Sequence, residues 1–294
     1  MTDQVKGQIA DLMQAYQRGT LSRREFIRAV VGLTGGIAAA ATVLEPLGLS
    51  PAEAAQVTPD DPALTSGMVR YPGDGVQLEG YLSRPKAPGR FPGVIVIHEN
   101  RGLTDHIQDV ARRFGKEGFA TLAPDLLARA GGTPSYKTAD DARAAIGKLT
   151  QEGVDRDLRA TFDHLRGQAF VRGDRVAVVG FCWGGANTLR MATQVRELAA
   201  AVPFYGRNPA PLDLVERIAC PLLIIYGEDD PFIMPGVPAL EAALKKYGKT
   251  YEIKIYPGAK HAFHNDTDPN RYNADAARDA WDRTVAFLKR HLAA

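Results

Sequence analysis

The apolar run Val176-Ala177-Val178-Val179 leads directly into Gly180-Phe181-Cys182-Trp183-Gly184-Gly185 and then into a helical pattern over 186–198. A segment apolar at every position suits a strand buried on both faces, hence a parallel sheet covered by helices on two sides. The turn that follows has the spacing of a G-x-S-x-G nucleophile elbow, with cysteine at the position usually held by serine. Glycines beyond the cysteine let the helix start pack close under the turn, so the sulfur is presented above the sheet edge.

The rest of the chain repeats this alternation. Residues 68–71 and 76–83 alternate in polarity around Pro72-Gly73-Asp74-Gly75 and read as a hairpin. Residues 93–98 form another continuous apolar strand. Ile107, Val110, Ala111 and Phe114 then fall at helical spacing, with Thr104 as candidate N-cap. Strands are expected at 119–123, 200–205, 221–226 and 251–256, and helices at 139–149, 155–165, 237–247 and 274–291. Strands alternating with helices imply an α/β class chain with the α/β-hydrolase fold. Its central sheet should be mostly parallel and flanked by helices on both faces, with an antiparallel N-terminal hairpin.

Ser22-Arg23-Arg24-Glu25-Phe26-Ile27 is a twin-arginine signature, followed by an Ala/Gly-rich apolar stretch over 29–44 and a small-x-small cleavage site at Ala52-Glu53-Ala54. Residues 1–54 therefore read as an export signal, with a mature start near Ala55. The apolar stretch is shorter than the ~20 residues that span a bilayer, and tandem arginines argue against an ordinary amphipathic helix of the domain. The expectation is export in the folded state by the twin-arginine translocase to the periplasm or another extracytoplasmic space, without stable membrane association after cleavage. Residues 55–66 then serve as a flexible lead-in, and 67–294 as a single domain. A formal charge of +2 without a Lys/Arg block gives no basis for nucleic-acid binding. Of the two cysteines, Cys220 begins an apolar strand and reads as inert core, because a disulfide would consume the elbow sulfur.

A thiol with an ordinary pKa of ~8.5 is mostly protonated at neutral pH, so Cys182 needs a base. In this fold the acid and then the histidine follow the nucleophile on loops after later strands. Three histidines lie downstream, His261, His264 and His291. His261 follows strand 251–256 after the short loop Pro257-Gly258-Ala259-Lys260 and is favoured over His264; His291 ends the last helix. Gly227-Glu228-Asp229-Asp230-Pro231 supplies the acid, with Asp230 preferred and Asp229 its rival, to hold the imidazole tautomer. The Trp183 amide and the Asn100 amide, in the loop His98-Glu99-Asn100-Arg101-Gly102, are candidate oxyanion donors. Glu99 near the thiol would keep it protonated and shielded from oxidation, unless Glu99 pairs with Arg101 instead. His98, His261, His264 and Asp266 lack the spacing of a zinc site, so no metal is expected.

These residues resemble the dienelactone hydrolase (carboxymethylenebutenolidase) family over Gly67 to the C-terminus. The resemblance rests on Gly180-Phe181-Cys182-x-Gly184-Gly185, the G-x-x-D at Gly227 to Asp230, His261, the Glu99 loop and Ala123-Pro124-Asp125-Leu126-Leu127-Ala128-Arg129. It implies a single-domain hydrolase without cofactor, with Cys182 as nucleophile, His261 as base and Asp230 as acid. Glu99 matches a glutamate that pairs with the resting thiol and moves away when substrate binds. Arg129 matches one of two arginines that clamp a substrate carboxylate; the second position holds Asn265, and an aromatic commonly found in the first motif is replaced by Leu127. The implied reaction is hydrolysis of an activated ester or enol lactone, a small-molecule substrate, through a thioester. A broad carboxylesterase or thioesterase is the rival on the same scaffold, and a non-catalytic binding protein the rival from another class. The oligomeric state is not legible.

Overall fold

The computed structural model describes residues 1–21, 23–49, 55–268 and 270–293. Three helices come first: α1 (Asp3–Gln17), α2 (Arg23–Thr34) and α3 (Ile37–Leu44). The sheet domain follows as β1 (Leu64–Pro72), β2 (Gln77–Pro85), β3 (Phe91–Ile97), α4 (Asp105–Lys116), β4 (Ala120–Pro124), α5 (Ala139–Ile146), α6 (Gln151–Arg166) and β5 (Val171–Phe181). It continues with α7 (Trp183–Gln194), β6 (Ala200–Phe204), β7 (Leu222–Asp229), α8 (Val237–Lys246), β8 (Tyr251–Lys260) and α9 (Ala274–Leu292).

The eight strands lie in the order β1-β2-β4-β3-β5-β6-β7-β8. β1 and β2 form the expected hairpin, β2 pairs antiparallel with β4, and every other pairing is parallel. Side chains alternate across the sheet with period two, so each strand feeds two cores. Ile95, Ile97, Val178 and Ile224 pack with Leu158, Phe162, Leu189 and Leu240 from α6, α7 and α8. Val94, Val96, Val179 and Ile225 pack on the other face with Val110, Phe114, Ala280 and Leu288 from α4 and α9. This is the α/β-hydrolase architecture, and it leaves the strand C-termini aligned at one edge of the sheet.

Two boundaries differ from the sequence expectation in ways that matter. β1 begins at Leu64, inside the expected lead-in. The polar residues before it are tied to the body: Val57 N–H donates to Asp109 Oδ1, Arg112 Nε–H donates to the Val57 carbonyl, and Lys116 pairs with Asp61. Side chains on α4 therefore hold this stretch in place. Finally, Pro257-Gly258-Ala259-Lys260 is not a loop but the end of β8. The β7–β8 pairing shifts register between Gly227 and Asp229 and resumes at Asp229 opposite Lys260.

The N-terminal helices bury Phe26, Ile27, Val30, Val31, Ala40 and Leu44 against one another. They meet the body where Arg28 Nη1 lies 3.4 Å from Asp266 Oδ2 and where Gly32 faces the Thr267 carbonyl so closely that a Cβ would sit 1.7 Å from it. Ser22 and the expected cleavage site at 52–54 lie outside the described residues. Among the described residues, no helix is long and apolar enough to cross a membrane.

Candidate active site

Cys182 sits between β5 and α7 with φ 57° and ψ −114°, a left-handed conformation that a side chain rarely adopts. The turn is held by Cys182 N–H donating to the Phe204 carbonyl at 3.1 Å. It is possible because Gly184 and Gly185 carry no side chain: a Cβ on Gly184 would be 2.4 Å from the Ile97 carbonyl oxygen, and one on Gly185 2.2 Å from that of Phe204. Tyr205 (φ 36°) and Ala262 (φ 64°) also have positive φ, and both neighbour the site. Concentrated backbone strain of this kind persists where surrounding structure over-determines it.

The extended end of β8 delivers His261, and that of β7 delivers Asp230. His261 Nε2 lies 3.1 Å from Cys182 Sγ, and His261 Nδ1 lies 2.5 Å from Asp230 Oδ2. Asp230 is buried, and its other oxygen accepts from Phe232 N–H at 3.1 Å, which fixes the carboxylate. Asp229 is exposed at the end of β7. Burial pulls the His261 pKa down, but hydrogen bonds to Asp230 and Cys182, reinforced by the charges of both, raise it to about 9. The arrangement therefore favours imidazolium beside sulfur. The Tyr205 ring, 5.2 Å from the His261 ring between centroids, backs the imidazole.

His264 lies elsewhere. It is buried among Phe181, Phe204 and Trp281, and burial holds its pKa well below the usual histidine range. Cys220 is a buried free thiol whose pKa desolvation pushes up to about 12. Among the described residues, no cluster of three or more His, Cys, Asp or Glu is arranged to hold a metal ion.

Two loops close the nucleophile side. His98 Nδ1 lies 2.6 Å from the Glu99 carbonyl, and Leu126 N–H donates to His98 Nε2 at 3.2 Å. Because Nε2 accepts, the proton is on Nδ1, and the buried neutral ring ties the loop after β3 to the loop after β4. Asp125 reinforces the tie: its carboxylate accepts from Leu127 N–H, Thr133 N–H and Thr133 Oγ1–H, while Thr133 Oγ1 accepts from Leu103 N–H. The His98 ring also stacks on Trp183, with centroids 5.5 Å apart. Trp183 N–H heads α7, where helix amides have no intrahelical acceptor. Among the described residues, neither it nor Asn100 N–H donates a hydrogen bond.

The remaining expected residues are placed differently from the expectation. The Glu99 carboxylate is not on the thiol: its Oε2 accepts from Asn265 Nδ2 at 2.7 Å, while Arg101 lies 3.9 Å from Asp268. Arg129 is committed to a bidentate pair with Asp157 (Nε–H to Oδ2 at 2.9 Å, Nη2–H to Oδ1 at 2.7 Å) and donates to the Asp74 carbonyl. An arginine so engaged is a strut between the β4 loop and α6 rather than a free clamp for a carboxylate. Asp125, Thr133 and Tyr205 support the site without having been assigned a role from sequence. Asp125 stood within the quoted motif, but the partners that define its role lie on a loop the sequence could not place.

The profile of the dienelactone hydrolase family matches residues 78–292. A carboxymethylenebutenolidase homologue of Saccharolobus solfataricus is 35% identical over 255 residues, covering 75% of this chain and 96% of its own. One from Methylorubrum extorquens is 32% identical over 295 residues, covering 96% and 97%. The crystal structure of a dienelactone hydrolase homologue from Klebsiella pneumoniae superposes with a TM-score of 0.73 at 31% identity, over 78% of this chain and 99% of that one. With this fold and these relatives, the chain belongs to the dienelactone hydrolase family and is a hydrolase acting on esters.

Proposed function

We propose that the protein hydrolyses an activated ester or enol lactone through Cys182, His261 and Asp230, with a thioester intermediate. The observation that carries this is the continuous relay from Asp230 Oδ2 through His261 to Cys182 Sγ, at 2.5 and 3.1 Å. His261 takes the thiol proton and the sulfur attacks the carbonyl carbon. Charge on the carbonyl oxygen develops toward the Trp183 and Asn100 amides. The tetrahedral adduct collapses with cleavage of the C–O bond, and His261 returns its proton to the departing oxygen. Water then attacks the thioester, His261 accepts its proton, and the sulfur leaves as thiolate. Thiolate is a better leaving group than alkoxide, so adducts with poor leaving groups revert. Enolates and other stabilised oxyanions depart forward. Cys182→Ala should abolish turnover of p-nitrophenyl acetate while leaving the fold intact, and the wild type should yield an acyl adduct on Cys182 by rapid-quench mass spectrometry. Near-normal turnover by the alanine variant would overturn the assignment.

A second reading, a broad carboxylesterase or thioesterase, is favoured by one observation. Arg129 is paired with Asp157 and Asn265 is neutral, so neither of the two positions offers a free cation to a substrate carboxylate. Relative kcat/KM for p-nitrophenyl acetate and for cis- and trans-dienelactone separates the two readings.

The export reading is part of the same proposal. The twin-arginine signature and the cleavage site place the enzyme outside the cytoplasm, delivered folded by the twin-arginine translocase. That route lets the thiol mature in a reducing compartment.

A further inference from the structure

Glu99 is a buried carboxylate in the immediate surroundings of the nucleophile. It is 7% exposed, and both its charge and that of Cys182 act on the Tyr205 hydroxyl. Its charge also acts on His98 from the end of β3, His106 from α4 and Tyr205 from the end of β6. A buried carboxylate must be hydrogen-bonded or become protonated, so its donor decides where it sits. That donor is Asn265, four residues beyond His261 and 4% exposed. Asn265 cannot turn over: its Oδ1 already accepts from Thr267 N–H at 3.0 Å and from Thr267 Oγ1–H at 2.7 Å, so its NH₂ is the end that faces Glu99. With Glu99 satisfied there, the hydrogen bond of Cys182 Sγ goes to His261.

We propose that Asn265, oriented by Thr267, is a positioning residue that holds the Glu99 carboxylate off Cys182, so that the resting thiol is already paired with His261. The inference rests on Cys182 as nucleophile. Without the amide, Glu99 loses its donor and competes with His261 for the hydrogen bond of the Cys182 S–H, and its retained negative charge opposes thiolate formation. Asn265 acts through Glu99 and touches no reacting atom.

The test is iodoacetamide labelling of Cys182 in the full chain as a function of pH, alongside kcat and KM for p-nitrophenyl acetate. Asn265→Leu removes the donor at similar volume. The expected result is labelling at pH 7 slowed about tenfold, with a profile moved to higher pH, because a released like charge disfavours the thiolate. A fall in kcat with little change in KM should accompany it. Glu99→Gln in the Asn265→Leu background should restore labelling to the rate of Glu99→Gln alone. Asn265→Ala removes the donor without adding volume, and is read the same way should the leucine variant fail to fold. The proposal is overturned if the folded variant labels as fast as wild type, or if slow labelling persists after Glu99→Gln. Wild-type protein whose Cys182 resists alkylation at every pH would instead overturn the nucleophile assignment.

Discussion

At the residue scale, the informative group is His261, because two partners pull it against the effect of burial. Desolvation lowers its pKa, yet Asp230 and Cys182 raise it from 6.5 to about 9. The folded protein therefore binds the imidazole proton more tightly than the unfolded chain does. Stability from this source is fully present below about pH 6.5 and is lost as pH rises through about 9. The Tm difference between wild type and His261→Ala should narrow steadily across that interval. A difference independent of pH would show that the imidazolium is not held by these partners. The sequence singled out Cys182, His261 and Asp230 because each follows a recognisable strand. It could not show that Arg129 is spent on Asp157, since a bidentate pair depends on α6 lying beside the β4 loop. Asn265 was legible only as a departure from the family pattern, because its role exists in its contact with Glu99 and not in its spacing from His261.

At the element scale, the site depends on how strand ends and loops are tied. Periodicity revealed the strands and helices of the sheet domain, but not α1–α3, nor that β8 continues through Pro257 and Gly258 to Lys260. That continuation depends on a register shift against β7, a pairing property that neither strand carries alone. The loops after β3 and β4 likewise meet through Thr133, which Asp125 of its own loop holds in place to accept from Leu103 N–H, a contact made only once the chain has folded. Asp125→Ala leaves the amides of Leu127 and Thr133 and the Thr133 hydroxyl without their acceptor. Leaving buried donors unsatisfied costs about 1–3 kcal/mol each at most, and local relaxation reduces the sum. We expect urea unfolding of Asp125→Ala to show a loss of about 1–3 kcal/mol, together with lowered kcat, because the His98–Glu99–Asn100 loop loses its anchor. Full stability with unchanged kcat would mean that the His98 bridge to Leu126 suffices by itself.

At the scale of the whole molecule, the question is whether α1–α3 belong to the enzyme or precede it. Their apolar residues are buried among themselves, in a cluster separate from the two that line the sheet. The body contacts them at the loop carrying Asn265 to Thr267, through Arg28 on Asp266 and Gly32 against the Thr267 carbonyl. Asp266 keeps His106 Nδ1 at 3.1 Å and Gln56 Nε2 at 2.8 Å when Arg28 is gone, so its buried carboxylate remains paired. Removal also opens the cavity of about 460 Å³ that Arg28 lines with Arg113, His264, Tyr272 and Trp281, at the rim of the core on the α4 and α9 side. A chain starting at Ala55 should therefore unfold in one cooperative transition and keep the kcat/KM of the full chain. Mass spectrometry of the extracytoplasmic protein should find that same start. If the shortened chain aggregates or loses activity while full-length protein does not, α1–α3 are a structural part of the domain and the export reading fails. An intact Met1 on protein recovered from the cytosol alone would lead to the same conclusion by an independent route.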